Sequence, residues 1–306
     1  TEIYTLSLHD ALPISADDQK NNSYTRARDL YAQWQRDQVL IQDETPGIYF
    51  YRQEYKVLGT KHSRQGFISL MKIEDGGDAK IFPHENTHAK AKEDRLKLWS
   101  AVASNLSPIF VCFSDRTKRV EKIFVSHVVH MVPILDVVDD DGVKHLLWRL
   151  DDPVLIRDIV EALDQQPLFI ADGHHRYEVA RQYRDICRSK TAHSTGQEPF
   201  NYLMTYFTDI DSRDLQIFPM HRIVRKIDLN QEFLEEFFRM DKVKTREDLS
   251  ILLAKAGKNE HAFGLYAADG MRLLRLKNKA LIDKYVTEGS ADYRRLDATK
   301  IGRAHV

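Results

Sequence analysis

The chain has 306 residues, of which 42% are hydrophobic and 30% charged, and its formal net charge is -1. That balance lacks the basic excess typical of nucleic-acid binding, and no window approaches the roughly 20 apolar residues of a membrane span. The chain has 2 cysteines, Cys112 and Cys187, too few for a disulfide scaffold, so we expect a soluble cytoplasmic protein without a nucleic-acid or membrane partner.

Both ends of the chain are predicted to be foreign to the protein. Residues 1–15 and 301–306 resemble sequencing-library adapters translated in frame, so they are set aside in fold prediction as an expression tag would be. We expect residues 16–300 to be an internal piece of a longer protein. Within it, a core domain over 16–220 is followed by a smaller, truncated α/β subdomain over 221–300.

The first half of the chain shows both helical and strand patterns. Apolar residues three or four apart predict three helices: 24–40, 96–106 and 120–129. Period-two alternation predicts strands over 48–58 and 64–73, paired as a hairpin, and a second hairpin over 137–150 that turns at Gly142. The continuous apolar run 108–113 is typical of a strand that is buried on both faces.

The second half begins with a helix start signal, because Asp152 suits a helix cap and Pro153 suits the first turn. The elements predicted after that helix are a strand, a helix, a strand, two helices and a hairpin: 167–171, 177–187, 202–207, 231–240, 246–256 and 262–276. Strands alternate with helices, yet hairpins are frequent. The sequence therefore predicts an α/β fold of α+β character, a mixed sheet with packed helices.

The run Asp172-Gly173-His174-His175-Arg176 joins a predicted strand to a helix. Gly173 gives backbone freedom where a side chain would obstruct a ligand, and Asp172 occupies the position of a helix cap. The amides at a helix amino terminus attract anions, and an arginine can hold a phosphate with two parallel hydrogen bonds. These residues predict a site for a phosphate-bearing ligand. The alternative is a solvated helix entry in which Arg176 pairs with Glu178 or Asp172.

A second polar cluster, residues 84–88, follows Pro83. Glu85 is a candidate general base, and His84 is a candidate to bind phosphate or to polarise a leaving oxygen. The alternative is a surface loop that caps the next helix. The spacing of His84, Glu85 and His88 also matches that of zinc hydrolases, although in those enzymes both histidines project from one helix.

These motifs, taken in order, resemble those of the domain-of-unknown-function family 1015 (DUF1015). The motifs that carry the resemblance are Arg64-x-Gly66, Pro83-His84-Glu85-Asn86-Thr87, Lys92-Glu93-Asp94-Arg95, Asn105 with Ser107-Pro108, Trp148-Arg149, Asp172 to Arg176, Asn201-Tyr202 and Pro219-x-His221-Arg222. The Asp172 to Arg176 motif is also similar to turns of the ParB/sulfiredoxin superfamily, which contact nucleotide phosphates. Some relatives with such a turn are free-serine kinases that use ADP or ATP.

The resemblance implies a ParB/sulfiredoxin-like core and a small-molecule phosphotransferase of the serine-kinase type, with ATP or ADP and Mg²⁺. It implies catalytic roles for Glu85, His84 and His174. The implied phosphate-binding residues are Asp172, Gly173, His174, His175, Arg176, Arg64, Arg95, His221 and Arg222. Glu85, Asp94 or Asp172 would hold Mg²⁺. A nucleotide-binding regulator without turnover and a zinc hydrolase are the alternatives, and the substrate and oligomeric state stay open.

Overall fold

The computed structural model describes residues 18, 20–57, 59–75, 80–83, 89–164, 166–216, 221, 223, 231–256, 260–278 and 280. The chain divides into two compact units, Thr1–Ile217 and Phe218–Val306. Within the described ranges, no helix has the length and apolar character needed to cross a membrane.

The first unit contains eight strands and five α-helices among its described residues. The helices are α1 (Ser23–Arg36), α2 (Ala89–Val102), α3 (Arg119–Ile123), which continues as a π-helix (Phe124–Val128), α4 (Pro153–Leu163) and α5 (His174–Lys190). The strands are β1 (Ile48–Val57), β2 (Thr60–Lys72), β3 (Ile81–Phe82), β4 (Ile109–Phe113), β5 (Leu135–Val138), β6 (Lys144–Leu150), β7 (Leu168–Asp172) and β8 (Tyr202–Asp209).

These eight strands form one sheet in the order β3-β7-β4-β8-β2-β1-β6-β5. The pairs β3–β7 and β4–β8 are parallel, and the other five pairs are antiparallel. The predicted mixed sheet with packed helices is therefore confirmed. Since β7 runs antiparallel to β4, the β3–β7 pair and the β4–β8 pair run in opposite directions, and their carboxyl ends lie at opposite ends of the strands.

The core lies on one face of this sheet, where alternate residues of the strands point toward the helices. Ile109 and Val111 of β4 are fully buried and belong to the same apolar cluster as Ile159 of α4 and Tyr177 of α5. Cys112, on the other face of β4, is also buried, so the predicted two-sided burial of this strand is confirmed.

Local signals position the helix and hairpin boundaries. The Asp152 carboxylate accepts hydrogen bonds from the amides of Val154 at 2.8 Å and Leu155 at 3.2 Å, and it caps α4 as predicted. Gly142, with φ +75°, turns the β5–β6 hairpin. Such a left-handed backbone angle is one that glycine adopts at little cost.

The described part of the second unit forms a separate small sheet. Its elements are α6 (Gln231–Phe237), β9 (Phe238–Val243), α7 (Arg246–Ala256), β10 (Ala262–Ala267) and β11 (Gly270–Leu276), and the strand order is β10-β11-β9. The prediction of a helix over 231–240 is wrong at its end. From Phe238 onward the chain pairs with β11, and this distant partner overrides the local helical pattern.

Candidate functional site

The Asp172 to Arg176 motif joins β7 to α5. Asp172 is the last residue of β7, Gly173 precedes the helix, and His174, His175 and Arg176 form its first turn. The helix thus begins three residues earlier than predicted. Gly173 has φ +93°, and a Cβ atom there would lie 2.8 Å from Cγ2 of Ile109. Glycine is therefore required both by the backbone angle and by the close approach of β4.

Asp172 does not cap α5, so this prediction is wrong. The residue at the cap position is Gly173, which has no side chain. The Asp172 carboxylate instead accepts a hydrogen bond from Nη2 of Arg176 at 2.6 Å. The carboxylate therefore pairs with a side chain of the first turn instead of accepting hydrogen bonds from the amides that begin the helix.

Arg176 ties the motif to the segment before β4. Its Nη1 donates to the hydroxyl of Ser107 at 3.1 Å and to the carbonyl of Pro108, while Nη2 is paired with Asp172. Burial lowers the pKa of this guanidinium, Asp172 opposes that shift, and Arg95 adds to it. The ion pair expected from the solvated-entry alternative is therefore present. A phosphate would have to compete with Asp172 for Nη2.

The two histidines of the motif differ in exposure. His174 is 2% exposed, whereas His175 is half-buried. The two side chains are adjacent on a helix and point about 100° apart, so one faces the interior and the other lies nearer to solvent. His175 is therefore the more accessible of the two to a ligand.

Arg64 of β2 reaches the neighbourhood of the motif across the sheet. Its guanidinium lies over the ring of Phe110, 5.5 Å from the centroid, and it donates to the side-chain oxygen of Gln53. Phe110 is the register partner of Asp172 between β4 and β7. Phe110 therefore lies between Arg64 and the motif. The sequence indicated Arg64 but missed Phe110, because the apolar run 108–113 gave no sign of which side chains face the core.

Other predicted site residues lie on described elements. Arg95 of α2 is exposed, and its charge acts on Arg176. The neighbouring Asp94 accepts a hydrogen bond from the hydroxyl of Tyr24 at 2.6 Å, so α1 already engages one candidate magnesium ligand. His221 is an exposed residue of the second unit.

His84, Glu85, His88 and Arg222 lie outside the described residues, so their predicted roles stay predictions. The strand before His84, β3, is parallel to β7, and its last residue, Phe82, pairs with Phe169, three residues before the end of β7. Among the described residues, no three histidine, cysteine or acidic side chains are grouped to hold a metal ion. Magnesium bound with a nucleotide needs only one or two carboxylates beside the phosphates.

Comparison with known proteins identifies a family. No curated protein and no solved structure matches the chain. A family model described as "Protein of unknown function (DUF1015)" matches residues 2–299. That range takes in residues 2–15, whose foreign origin stays a prediction. Because this family model matches nearly the whole chain, the protein belongs to the DUF1015 family.

Proposed function

We propose that the protein binds a phosphate-bearing small molecule at the amino terminus of α5 and acts as a small-molecule phosphotransferase. One observation carries the proposal. A helix of 17 residues begins on the left-handed Gly173, which has no side chain of its own to cap the helix, and has the charges of Arg95 and Arg176 beside its first turn. The helix dipole and the first-turn amides favour an anion at this position.

The donors available in this region fit a phosphate group. Arg95 is exposed, so its guanidinium can form charge-assisted hydrogen bonds to phosphate oxygens, whereas Nη2 of Arg176 can do so only when the phosphate displaces Asp172. The resemblance of the motif to ParB/sulfiredoxin turns supports ATP or ADP with Mg²⁺ as the nucleotide and serine as the acceptor class. In that reaction the serine hydroxyl oxygen forms a bond to the transferred phosphorus, the phosphorus–oxygen bond to the departing nucleotide breaks, and Glu85 takes the hydroxyl proton.

Titration calorimetry of the full chain with ATP, ADP and inorganic phosphate, with and without Mg²⁺, tests the binding step. We expect saturable nucleotide binding that Arg95→Gln weakens about fivefold, the equivalent of ~1 kcal/mol at a partly exposed helix terminus. Arg157→Gln, on the exposed side of α4, removes the same charge elsewhere and should leave affinity unchanged. If no phosphate compound binds saturably, the proposal is wrong.

Phosphorus NMR of ATP or ADP mixed with free serine and the protein tests turnover. Appearance of phosphoserine supports the phosphotransferase. Nucleotide binding without transfer to serine or to other hydroxylated amino acids would instead favour a nucleotide-binding regulator. Stoichiometric zinc that a chelator removes, together with no response to nucleotides, would favour the zinc hydrolase.

A further inference from the structure

A cavity of about 470 Å³ opens at the carboxyl ends of β4 and β8. These two strands are parallel, with Phe113 opposite Asp209 at their last residues. The Asp172 to Arg176 motif lies at the other end of β4, because Asp172 pairs with Phe110. The cavity is therefore separate from the proposed phosphate site.

The cavity has an aromatic floor made of four phenylalanines. Phe50, Phe67, Phe113 and Phe124 line it, and each is at most 3% exposed. Their ring centroids are 5.8 Å apart for Phe50–Phe67, 5.4 Å for Phe50–Phe124 and 6.0 Å for Phe67–Phe113. These rings are part of the main core and are almost fully buried, so the base of the cavity is preformed and apolar but leaves little ring surface open to a ligand.

One wall of the cavity is fixed by internal hydrogen bonds and ion pairs. Nζ of Lys118 lies 2.8 Å from a carboxylate oxygen of Asp209 and 3.0 Å from one of Glu121. The carboxylate of buried Asp115 accepts from the amides of Arg119 at 2.8 Å and Glu121 at 3.0 Å. Asp209 and Glu121 therefore share one lysine, and Asp115 is held by two backbone amides.

Two carboxylates on the loop after β8 are not compensated in this way. Asp211 accepts a hydrogen bond from the hydroxyl of Ser114 at 2.5 Å, and Asp214 lies 3.3 Å from Nδ1 of His62. Among the ion pairs of the described residues, neither carboxylate pairs with a lysine or arginine. Both side chains line the cavity, and so does the exposed Arg213 between them. The lining holds five acidic side chains against two basic ones, Lys118 and Arg213, so an excess of negative charge remains.

We infer that this cavity binds a small organic amine. Its ammonium group would pair with Asp211 and Asp214, and its apolar part would rest against the phenylalanine floor. A volume near 470 Å³ lies within the range of small-molecule sites, which are largely apolar with a few polar groups that fix orientation. A carboxylate that binds an ammonium group forms a charge-assisted hydrogen bond, which a neutral hydroxyl does not replace.

The test compares two probes of the same shape and different charge on the full chain. 2-Phenylethylamine should bind saturably in calorimetry and shift the backbone amide signals of Gly66 and Ser212, which line the cavity, without shifting that of Gly173. 2-Phenylethanol, its neutral counterpart, should have an affinity at least about tenfold lower. Equal affinity of the two probes, or shifts confined to residues outside the cavity, would overturn the inference.

Variants of the two carboxylates give an independent measurement. The double variant Asp211→Asn/Asp214→Asn should weaken 2-phenylethylamine binding about tenfold or more and bring it close to that of 2-phenylethanol. Asp136→Asn on β5, which removes a carboxylate outside the cavity lining, should leave binding unchanged. Unchanged binding in the folded double variant contradicts the inference, and if that variant does not fold, the comparison of probes decides. If these experiments show no amine binding in the cavity, the proposal of a phosphate site at α5 is unaffected, because the two sites share no residue.

Discussion

The carboxylate of Asp172 accepts a 2.6 Å hydrogen bond from Nη2 of Arg176, one helical turn further along the chain. The side chain of Asp172 is 71% exposed, whereas that of Arg176 is 21% exposed. The pair places a negative charge at the position where the proposed phosphate would bind. Asp172 is therefore a competitor for the guanidinium when no metal ion is present.

Replacing Asp172 with asparagine should strengthen the binding of inorganic phosphate in Mg²⁺-free buffer. Exposed ion pairs contribute about 0.2–1 kcal/mol, so the gain should be about 1.4-fold to fivefold in calorimetric affinity. Asp158→Asn on α4 removes a comparable exposed partner of an arginine and serves as the control. Weaker phosphate binding in Asp172→Asn would show that Asp172 assists the ligand rather than competing with it.

Replacing Arg176 with methionine should lower the free energy of unfolding as well as ligand affinity. The guanidinium donates to Ser107 and to the carbonyl of Pro108, and this carbonyl would lose its partner. Such losses cost about 1–3 kcal/mol, measured by urea unfolding. Arg181→Met on the same helix removes a more exposed arginine, 40% exposed and 3.6 Å from Glu178, and should cost less than about 1 kcal/mol. Equal losses in the two variants would contradict a structural role for Arg176.

Replacing Gly173 with alanine should be more costly than the same change at Gly142. Both residues have a left-handed backbone, which costs a residue with a side chain about 1–2 kcal/mol. At Gly173 the new Cβ would also meet Ile109 at 2.8 Å, and overpacking adds about 1–3 kcal/mol. At Gly142 no atom lies within 4 Å of that position. Thermal and urea unfolding of the two variants measure the difference, and similar stabilities would refute the contact with β4.

Glu198 should make stability depend on pH in the acidic range. Hydrogen bonds from the amide of Thr195 and from neighbouring donors lower its pKa to about 2 from an ordinary value of 4.5. Because the folded-state pKa is the lower one, this contribution is complete above pH 4.5 and is lost as the pH falls toward 2. Glu198→Gln should therefore flatten the profile of urea midpoint against pH in that interval. The same change at exposed Glu44 should leave the slope intact, and an unchanged slope in Glu198→Gln would count against the assignment.

Much of the fold follows from local sequence chemistry. Asp152 and Pro153 start α4 at the predicted residue, Gly142 turns its hairpin, and the apolar run after Pro108 forms the buried strand β4. Each of these signals acts over a few residues, through a cap, a permitted backbone angle or the hydrophobicity of a segment. The motif from Asp172 to Arg176 was recognisable for the same reason, since its residues are consecutive.

Distant contacts decided the rest. Phe238–Val243 becomes a strand because β11, some thirty residues later, pairs with it, and no local pattern could show that. Arg176 was expected to offer two donors to a phosphate, but the loop before β4 supplies acceptors 68 and 69 residues away in the chain. The cavity at the ends of β4 and β8 combines side chains from separate segments. Sequence by itself determined which residues carry charge, where α4 begins and where the β5–β6 hairpin turns. Only the packing of remote segments determined which of those charges are already paired, because pairing depends on spatial distance rather than on position along the chain.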